Sequence, residues 1–334
     1  MASSRQASFA QVEWGGRRRQ TARARFLEQM DSVVPWADLV AAVEPHRPAA
    51  GRRGRQPWPT ETLLRMFLVQ AWLDLSDEGC EDACYDSLAV RDFVGCWDGV
   101  PDATTLAGFR HLVERESLDR AIFDAVLARL EASGLIMHGG SVVDATIVTA
   151  PSSTKNRSGS RDPETRQTRK GRQWYHGMKC HSGEDAGTGY VHSCTFTAAN
   201  APDVSEAHNI VRPDDLFVYA DSGYRGVARR EEVASDGALS GIEWRVALGP
   251  SKLRALGPAR WAEREGERRK ASVRSRAEHP YHILKQTFGY ARCRYRGLAK
   301  NAARIRVLLA SANLLMVALA GRAAEFLAPT LAAA

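Results

Sequence analysis

The sequence predicts a mixed α/β fold that follows an all-helical region. Its 334 residues, of which 44% are hydrophobic and 25% charged, are enough for one or two globular domains with buried cores. Apolar residues recur at helical spacing as far as Gly134, and the period changes to two at Gly139. Segments of period two then alternate with helical patterns, which indicates a sheet flanked by helices.

Residues 21–135 show only helical patterns. Thr60 and Ser76 are expected N-caps, and a further helix is expected to begin at Asp102 or Thr104. Short helices joined by tight turns suit a helix-turn-helix type of DNA-binding module. Any small helical bundle gives the same pattern, so both interpretations stay open.

After Gly139 the pattern predicts strands and two long helices. A polar, basic stretch, residues 152–172, follows the first strand and is expected to be a long loop, a kind that is often functional. Helical patterns return over residues 259–288 and 299–320. Five strands are expected, over residues 141–148, 174–181, 190–197, 215–221 and 242–248.

Positive charge is concentrated in two parts of the chain, whose formal net charge is +7. Residues 252–306 hold sixteen Lys or Arg residues against four Glu, and residues 152–172 hold seven against two acidic residues. Such concentration predicts a polyanionic partner. A solvated helix face would have the same composition, so charge alone does not decide between them.

The sequence favours a cytoplasmic protein without disulfides or a membrane span. The six Cys residues include no C-x-x-C pair, which argues against a disulfide scaffold or a zinc ribbon. No secretory signal is evident in residues 1–16. The longest apolar run, residues 307–320, is interrupted by Ser311 and Asn313 and is short for a bilayer.

Three carboxylates stand out by their positions. Asp144 lies within an apolar strand, Asp221 ends the fourth strand before Gly223, and Glu278 lies in a helix rich in Arg and Lys. If the strands are neighbours, the two Asp residues converge and the helix can deliver Glu278. Converging carboxylates suit Mg²⁺ or Mn²⁺, and two such ions can clamp both oxygens of a phosphoryl displacement. Each residue alone also fits a structural role, an ion pair in the case of Glu278.

Helical geometry places two cations beside Glu278. At about 100° per residue, Arg274 projects roughly 40° from Glu278 and Lys285 roughly 20° from it. A carboxylate between two cations suits a phosphate backbone lying across bound metal ions. A surface ladder of ion pairs is the structural alternative.

The motifs around these residues resemble those of a bacterial insertion-sequence transposase of the DDE type, in the group named after insertion sequence five, with an insertion-sequence-four-like transposase domain. The resemblance covers about residues 50–320. It is carried by Val142-Val-Asp144-Ala-Thr-Ile-Val, Gln173-Trp-Tyr-His-Gly-Met-Lys179, Ala220-Asp-Ser-Gly-Tyr-Arg-Gly226, Arg274-x-x-x-Glu278-His-Pro-x-x-x-x-Lys285 and Arg294-Tyr-Arg-Gly-Leu-Ala-Lys-Asn301.

The resemblance implies a ribonuclease-H-like catalytic domain with a mixed sheet flanked by helices. It further implies that Asp144, Asp221 and Glu278 bind two Mg²⁺ ions, for which Mn²⁺ can substitute. The implied reaction is cleavage at the element ends and joining of the 3′-OH ends to target DNA. Arg274 and Lys285 match a Tyr–Arg–Glu–Lys signature, whose Tyr is replaced here by Ala271.

The expected partner is double-stranded DNA, namely the terminal inverted repeats and the target, bound by a homodimer on paired ends. Besides Arg274 and Lys285, the expected DNA contacts are Lys179, Lys155, Arg157, Arg169, Lys170, Arg292, Arg294 and Arg296.

We divide the chain into a flexible basic N-terminus (1–20), a helical DNA-binding domain (21–135), a catalytic domain (136–325) and a tail (326–334). Two other functions remain open. One is a metal-dependent nuclease without strand transfer, and the other is a DNA-binding regulator without catalysis.

Overall fold

The N-terminal region is helical, as predicted. The computed structural model describes residues 20–48, 56–157, 159–257 and 260–328, so nearly all of the expected flexible N-terminus lies outside the described residues. The helices of this region are Ala22–Asp31 (α1), Trp36–Val43 (α2), Thr60–Trp72 (α3), Asp77–Asp86 (α4), Leu88–Val94 (α5), Ala103–Arg115 (α6) and Leu118–Ala132 (α7).

Side-chain caps begin several of these helices. The Ser76 hydroxyl accepts a hydrogen bond from the Gly79 amide at 2.9 Å, and the Asp102 carboxylate accepts one from the Thr105 amide at 2.7 Å. Thr60 was expected as a cap, but it is the first residue of α3 and its hydroxyl instead contacts Glu44 and Arg47. The Thr60 hydroxyl is therefore engaged by side chains outside α3 and not by the amides of its first turn.

The second half contains one mixed sheet. In the described residues it has six strands: Gly140–Thr149 (β1), Arg166–Lys170 (β2), Gln173–Asp185 (β3), Val191–Ala198 (β4), Phe217–Ala220 (β5) and Glu243–Val246 (β6). The central order is β4-β3-β1-β5-β6, in which β3 is antiparallel to β1 and to β4. Strands β1, β5 and β6 are mutually parallel. This is the ribonuclease-H-like arrangement that the sequence predicts.

The expected basic loop is partly a strand. Its last third forms β2, which pairs with the start of β3 in a tight hairpin whose turn includes Gly171 at φ +63°. This segment lacks the apolar alternation from which strands are predicted, because both of its faces are largely exposed. β3 also extends to Asp185, four residues beyond the predicted strand end at residue 181.

Helices cover the sheet and join it to the N-terminal region. Three short helices, Ala207–Ile210 (α8), Glu231–Ala234 (α9) and Pro250–Ala255 (α10), lie between strands or after β6. Trp261–His282 (α11) continues through a π-helical turn at Ile283–Thr287, and Leu298–Leu319 (α12) and Ala323–Leu327 (α13) follow.

α12 is the central helix of the largest hydrophobic core. This core includes residues of α1–α7, of β1, β3 and β4, and of α12 itself, so it continues across the predicted boundary at residues 135/136. Phe326, the first residue of the predicted tail, is also buried in it.

α12 is long and apolar enough to cross a membrane by length and composition alone. Most of it is buried inside the protein, as in the core helix of a soluble protein. The six Cys residues are free thiols and five of them are buried, consistent with the absence of a disulfide pattern in the sequence.

Candidate active site

The parallel pairing of β1 and β5 brings two of the expected carboxylates side by side. Val142 is opposite Tyr219 and Val143 is opposite Ala220, so Asp144 and Asp221 are the next neighbours where this ladder ends. Because side chains alternate between faces along a strand, both point to the same face as Val142 and Tyr219. The negative charge of Asp221 contributes to raising the pKa of Asp144, which reflects their proximity.

The turn after β5 orients Asp221. Its Oδ1 atom accepts a hydrogen bond of 2.7 Å from the amide of Gly223. A Cβ atom added to Gly223 would lie only 2.8 Å from the same oxygen. Glycine at this position therefore lets the chain approach the carboxylate closely without displacing it.

Asp144 has an unfavourable electrostatic environment when no cation is bound. Burial raises its pKa from 3.8 to about 6, and the charge of Asp221 adds to this shift. A backbone hydrogen bond and the charges of Arg274 and Lys170 act in the opposite direction. Two adjacent carboxylates form a set of oxygen donors that suits a hard divalent cation. A bound cation would also stabilise the ionised form of Asp144, which burial disfavours.

Helix α11 crosses the same face of the sheet. Its residues Val273 and Ala277 pack with Val142 and Tyr219 in a small apolar cluster. Further along, the Lys285 ammonium donates hydrogen bonds to Thr146 Oγ1 at 2.6 Å and to the Ile147 carbonyl at 2.9 Å, both on β1. The helix that carries Glu278 is therefore anchored directly over the strand that carries Asp144.

Glu278 itself lies on this helix with an exposed side chain. Within the described part of the chain it forms no ion pair, so neither Arg274 nor His282 takes up the structural role left open by the sequence. In the same residues no group of three or more His, Cys, Asp or Glu side chains is close enough to hold a metal ion. The structure thus brings Asp144 and Asp221 together and places the helix of Glu278 nearby, without bringing the third carboxylate to ligand distance.

Three of the expected DNA-contacting cations surround Asp144. Arg274 and Lys170 both lower the pKa of Asp144, one from α11 and the other from the β2–β3 hairpin. The pKa of Lys285 is itself lowered, by burial and by the charge of Lys170. Positive charge is thus gathered beside the carboxylates, where a DNA phosphate would need it.

Five other expected contacts are exposed on the surface. One of them, Arg296, donates a hydrogen bond of 3.1 Å from Nη2 to the Ser160 hydroxyl. The exposed residues are Lys155, Arg157, Arg169, Arg292 and Arg296.

Lys179 and Arg294 are engaged within the protein. Lys179 donates hydrogen bonds to Asp203 at 2.8 Å and to the Ala201 carbonyl at 2.7 Å, and it lies on the face of β3 opposite to that of Ser182. Arg294 donates to both oxygens of Asp74, which belongs to the turn after α3. For these two residues a DNA contact remains a prediction that competes with an intramolecular ion pair.

A buried polar group beside Asp144 was missed by the sequence analysis. Ser182 and Glu184 on β3 are fully buried, and the Ser182 hydroxyl contacts Tyr281 of α11. Ser182 lies one residue beyond the end of the strand predicted over residues 174–181. The signal that could have revealed the group is the pair of polar residues two apart, which share one face of a strand.

Comparison with known protein families finds two matches. Residues 137–314 match the family described as "Transposase DDE domain", and residues 16–112 match the one described as "Transposase domain (DUF772)". A search of solved structures found no match. The match to the DDE domain implies a metal-dependent enzyme that cleaves and transesterifies DNA. The chain belongs to the DDE transposases and is a DDE-type insertion-sequence transposase.

Proposed function

We propose that this transposase binds the ends of its insertion element, cleaves them and joins the freed 3′-OH ends to target DNA. The observation that carries the proposal is the strand register that sets Asp144 beside Asp221, on the face that α11 covers. Membership of the DDE family supplies the reaction class. The individual steps and residue roles are the proposal.

The proposed metal ligands are Asp144, Asp221 and Glu278. When bound there, two Mg²⁺ ions, or Mn²⁺ in their place, supply an activated oxygen and stabilise the leaving oxygen of the phosphodiester. Glu278 is exposed and has no ion pair among the described residues, so its side chain is free to turn toward the two Asp residues. The pairing of β1 with β5 holds Asp144 and Asp221 side by side, so the proposal requires that Glu278 move toward them.

The cations near Asp144 are proposed to hold the DNA backbone. Lys285 is fixed by two hydrogen bonds to β1, so its position is set before DNA binds. Arg274 and Lys170 approach Asp144 from two different elements. Together they can hold the scissile phosphate between a helix and a hairpin.

We propose the division of labour expected from the sequence for the rest of the chain. The helical region, residues 21–135, recognises the terminal inverted repeats, and residues 136–325 perform catalysis. A homodimer holds the two ends together so that both can be joined to one target. Mg²⁺ and double-stranded DNA complete the assembly.

Substitution of the three carboxylates tests this function. In Asp144→Asn, Asp221→Asn and Glu278→Gln we expect loss of end cleavage while binding of end DNA without metal remains measurable. Asp214→Asn is the matched control, since Asp214 pairs with His138 on the surface. Full cleavage by any of the three variants would remove that residue from the proposed ligand set.

Strand transfer distinguishes the proposed function from the alternatives. Purified protein is given precleaved ends and target DNA with Mg²⁺. A transposase joins them, a nuclease cleaves intact ends but does not join precleaved ones, and a regulator does neither. Binding without cleavage or joining would refute the proposal.

A further inference from the structure

A hydrogen-bonded group of three side chains lies beneath the proposed metal site. The Ser182 hydroxyl is in short contact with both Glu184 Oε1 and the Tyr281 hydroxyl. The Tyr281 hydroxyl lies 3.1 Å from the backbone carbonyl of Asp144 and 3.2 Å from that of Cys180. All three side chains are buried, with exposed fractions of 0% for Ser182 and Glu184 and 6% for Tyr281.

Strand register explains how the group is assembled. Ser182 is directly opposite Asp144, and Glu184 is opposite Val142, in the antiparallel pairing of β1 with β3. Residues two apart share a face, so both side chains point toward α11. Tyr281 reaches them from that helix and closes the group from the other side.

The position of Tyr281 along α11 connects the group to the proposed reaction. Tyr281 follows Glu278 by about one helical turn and precedes Lys285 by about one turn. A hydrogen bond that holds Tyr281 therefore fixes the distance of this part of the helix from the sheet and its rotation about its own axis. Lys285 makes the second attachment, to Thr146 and Ile147 of the same strand.

Glu184 belongs to this group and not to the proposed ligand set. Burial raises its pKa well above the usual range and the charge of Asp144 adds to the shift, while the hydrogen bond from Ser182 opposes it. Among the described residues, its second oxygen, Oε2, is buried without a hydrogen-bond partner. A fully buried carboxyl whose ionised form is disfavoured is a poor metal ligand, but it can hold a hydroxyl in place.

We propose that Tyr281 is a positioning residue that, through Ser182 and Glu184, fixes α11 over β1 and thereby sets where Glu278 and Lys285 stand relative to Asp144. The inference rests on the proposed function, because it assigns the group a role in that reaction. The group contacts the backbone of Asp144 and is buried, so it is not placed to contact DNA directly. Its removal should therefore reduce the rate of cleavage far more than the affinity for end DNA.

Tyr281→Phe tests the role, because it removes the hydroxyl and retains the ring. We expect single-turnover end cleavage to fall about tenfold to a hundredfold, the loss that misplacement by about 1 Å can cause. The dissociation constant for end DNA without metal should change far less, because Lys285 keeps its own hydrogen bonds to β1. Backbone amides of residues 278–285 should exchange hydrogen faster in the metal-free protein.

Tyr290→Phe is the matched control. Tyr290 is also fully buried, and its hydroxyl donates to Asn301 Oδ1 at 2.8 Å, away from Asp144. Both variants should lower the melting temperature, but Tyr290→Phe should keep its cleavage rate per folded molecule. Ser182→Ala should resemble Tyr281→Phe, and the double variant should lose little more than either one, because the two hydroxyls act together.

Two results would overturn the inference. One is cleavage at the wild-type rate by Tyr281→Phe, and the other is an equal loss in Tyr290→Phe. If the wild-type protein cleaves no end DNA with Mg²⁺ or Mn²⁺, the proposed function fails and amide exchange alone decides about the group. Exchange that is faster at residues 278–285 in Tyr281→Phe, but not in Tyr290→Phe, then supports the positioning role, and unchanged exchange refutes it.

Discussion

Asp144 should destabilise the metal-free protein, so that Asp144→Asn is more stable than the wild type at neutral pH. The pKa of Asp144 is raised by burial and by Asp221 from 3.8 to about 6 in the folded state. Between these two values the folded protein binds more protons than the unfolded chain, and the free energy of unfolding falls as pH rises. The rise in the pKa of Asp144 from 3.8 to about 6 corresponds to about 3 kcal/mol of unfolding free energy as an upper value.

The assay is thermal unfolding in EDTA at pH 8 and at pH 4. For a chain of this length, about 3 kcal/mol corresponds to roughly 4 °C in melting temperature, which we expect as the gain of Asp144→Asn at pH 8. At pH 4 the gain should nearly vanish, because Asp144 is protonated in the folded state and about half protonated in the unfolded chain. Added Mn²⁺ should stabilise the wild type and not the variant.

Asp203→Asn is the control with the opposite sign. Asp203 is ion-paired with Lys179 at 2.8 Å, so its neutralisation should lower the melting temperature at pH 8. A wild-type protein that is as stable as Asp144→Asn at pH 8 without metal would refute the electrostatic reasoning.

Three further predictions concern the turn after β5 and the basic surface. Gly223→Ala should reduce end cleavage at least about tenfold, because the added Cβ would lie 2.8 Å from Asp221 Oδ1 and displace it. The circular dichroism spectrum should stay unchanged. Normal cleavage would show that this oxygen needs no fixed position. Lys155→Ala should make the plot of log affinity for end DNA against log salt less steep by about one unit of slope, because one exposed phosphate contact is lost. The melting temperature should not change. An unchanged slope would remove Lys155 from the DNA interface. Arg294→Ala should lower the melting temperature through loss of the contact with Asp74, and a reduced salt slope as well would show that Arg294 leaves Asp74 to bind DNA.

The paired carboxylates could be predicted from the sequence because their signals are local. Asp144 interrupts an apolar strand and Asp221 ends another, and a strand end before a glycine turn is a recognisable pattern. The sequence does not show that the two strands are adjacent, whereas the structure pairs β1 with β5 directly. The helical N-terminal region and the two long C-terminal helices were equally accessible from their 3.6-residue period.

What the sequence analysis missed depends on contacts between distant segments. β2 has no apolar face, so only its pairing with β3 identifies it as a strand. Arg294 is basic and exposed, and no local pattern shows that Asp74, 220 residues away, accepts its hydrogen bonds. Ser182, Glu184 and Tyr281 form a polar group only when β3 and α11 meet, and each is unremarkable alone.

The positive and negative charges around Asp144 compensate each other only in part. Three cations, Arg274, Lys170 and Lys285, lie near the two carboxylates, yet the pKa of Asp144 remains raised, so they do not compensate for its burial. Lys285 cannot move closer without giving up its hydrogen bonds to β1. The cations are therefore placed for a phosphate and the carboxylates for divalent ions, and each set neutralises the other only in part. It follows that metal and DNA should bind cooperatively, since each removes charge that the other set leaves uncompensated.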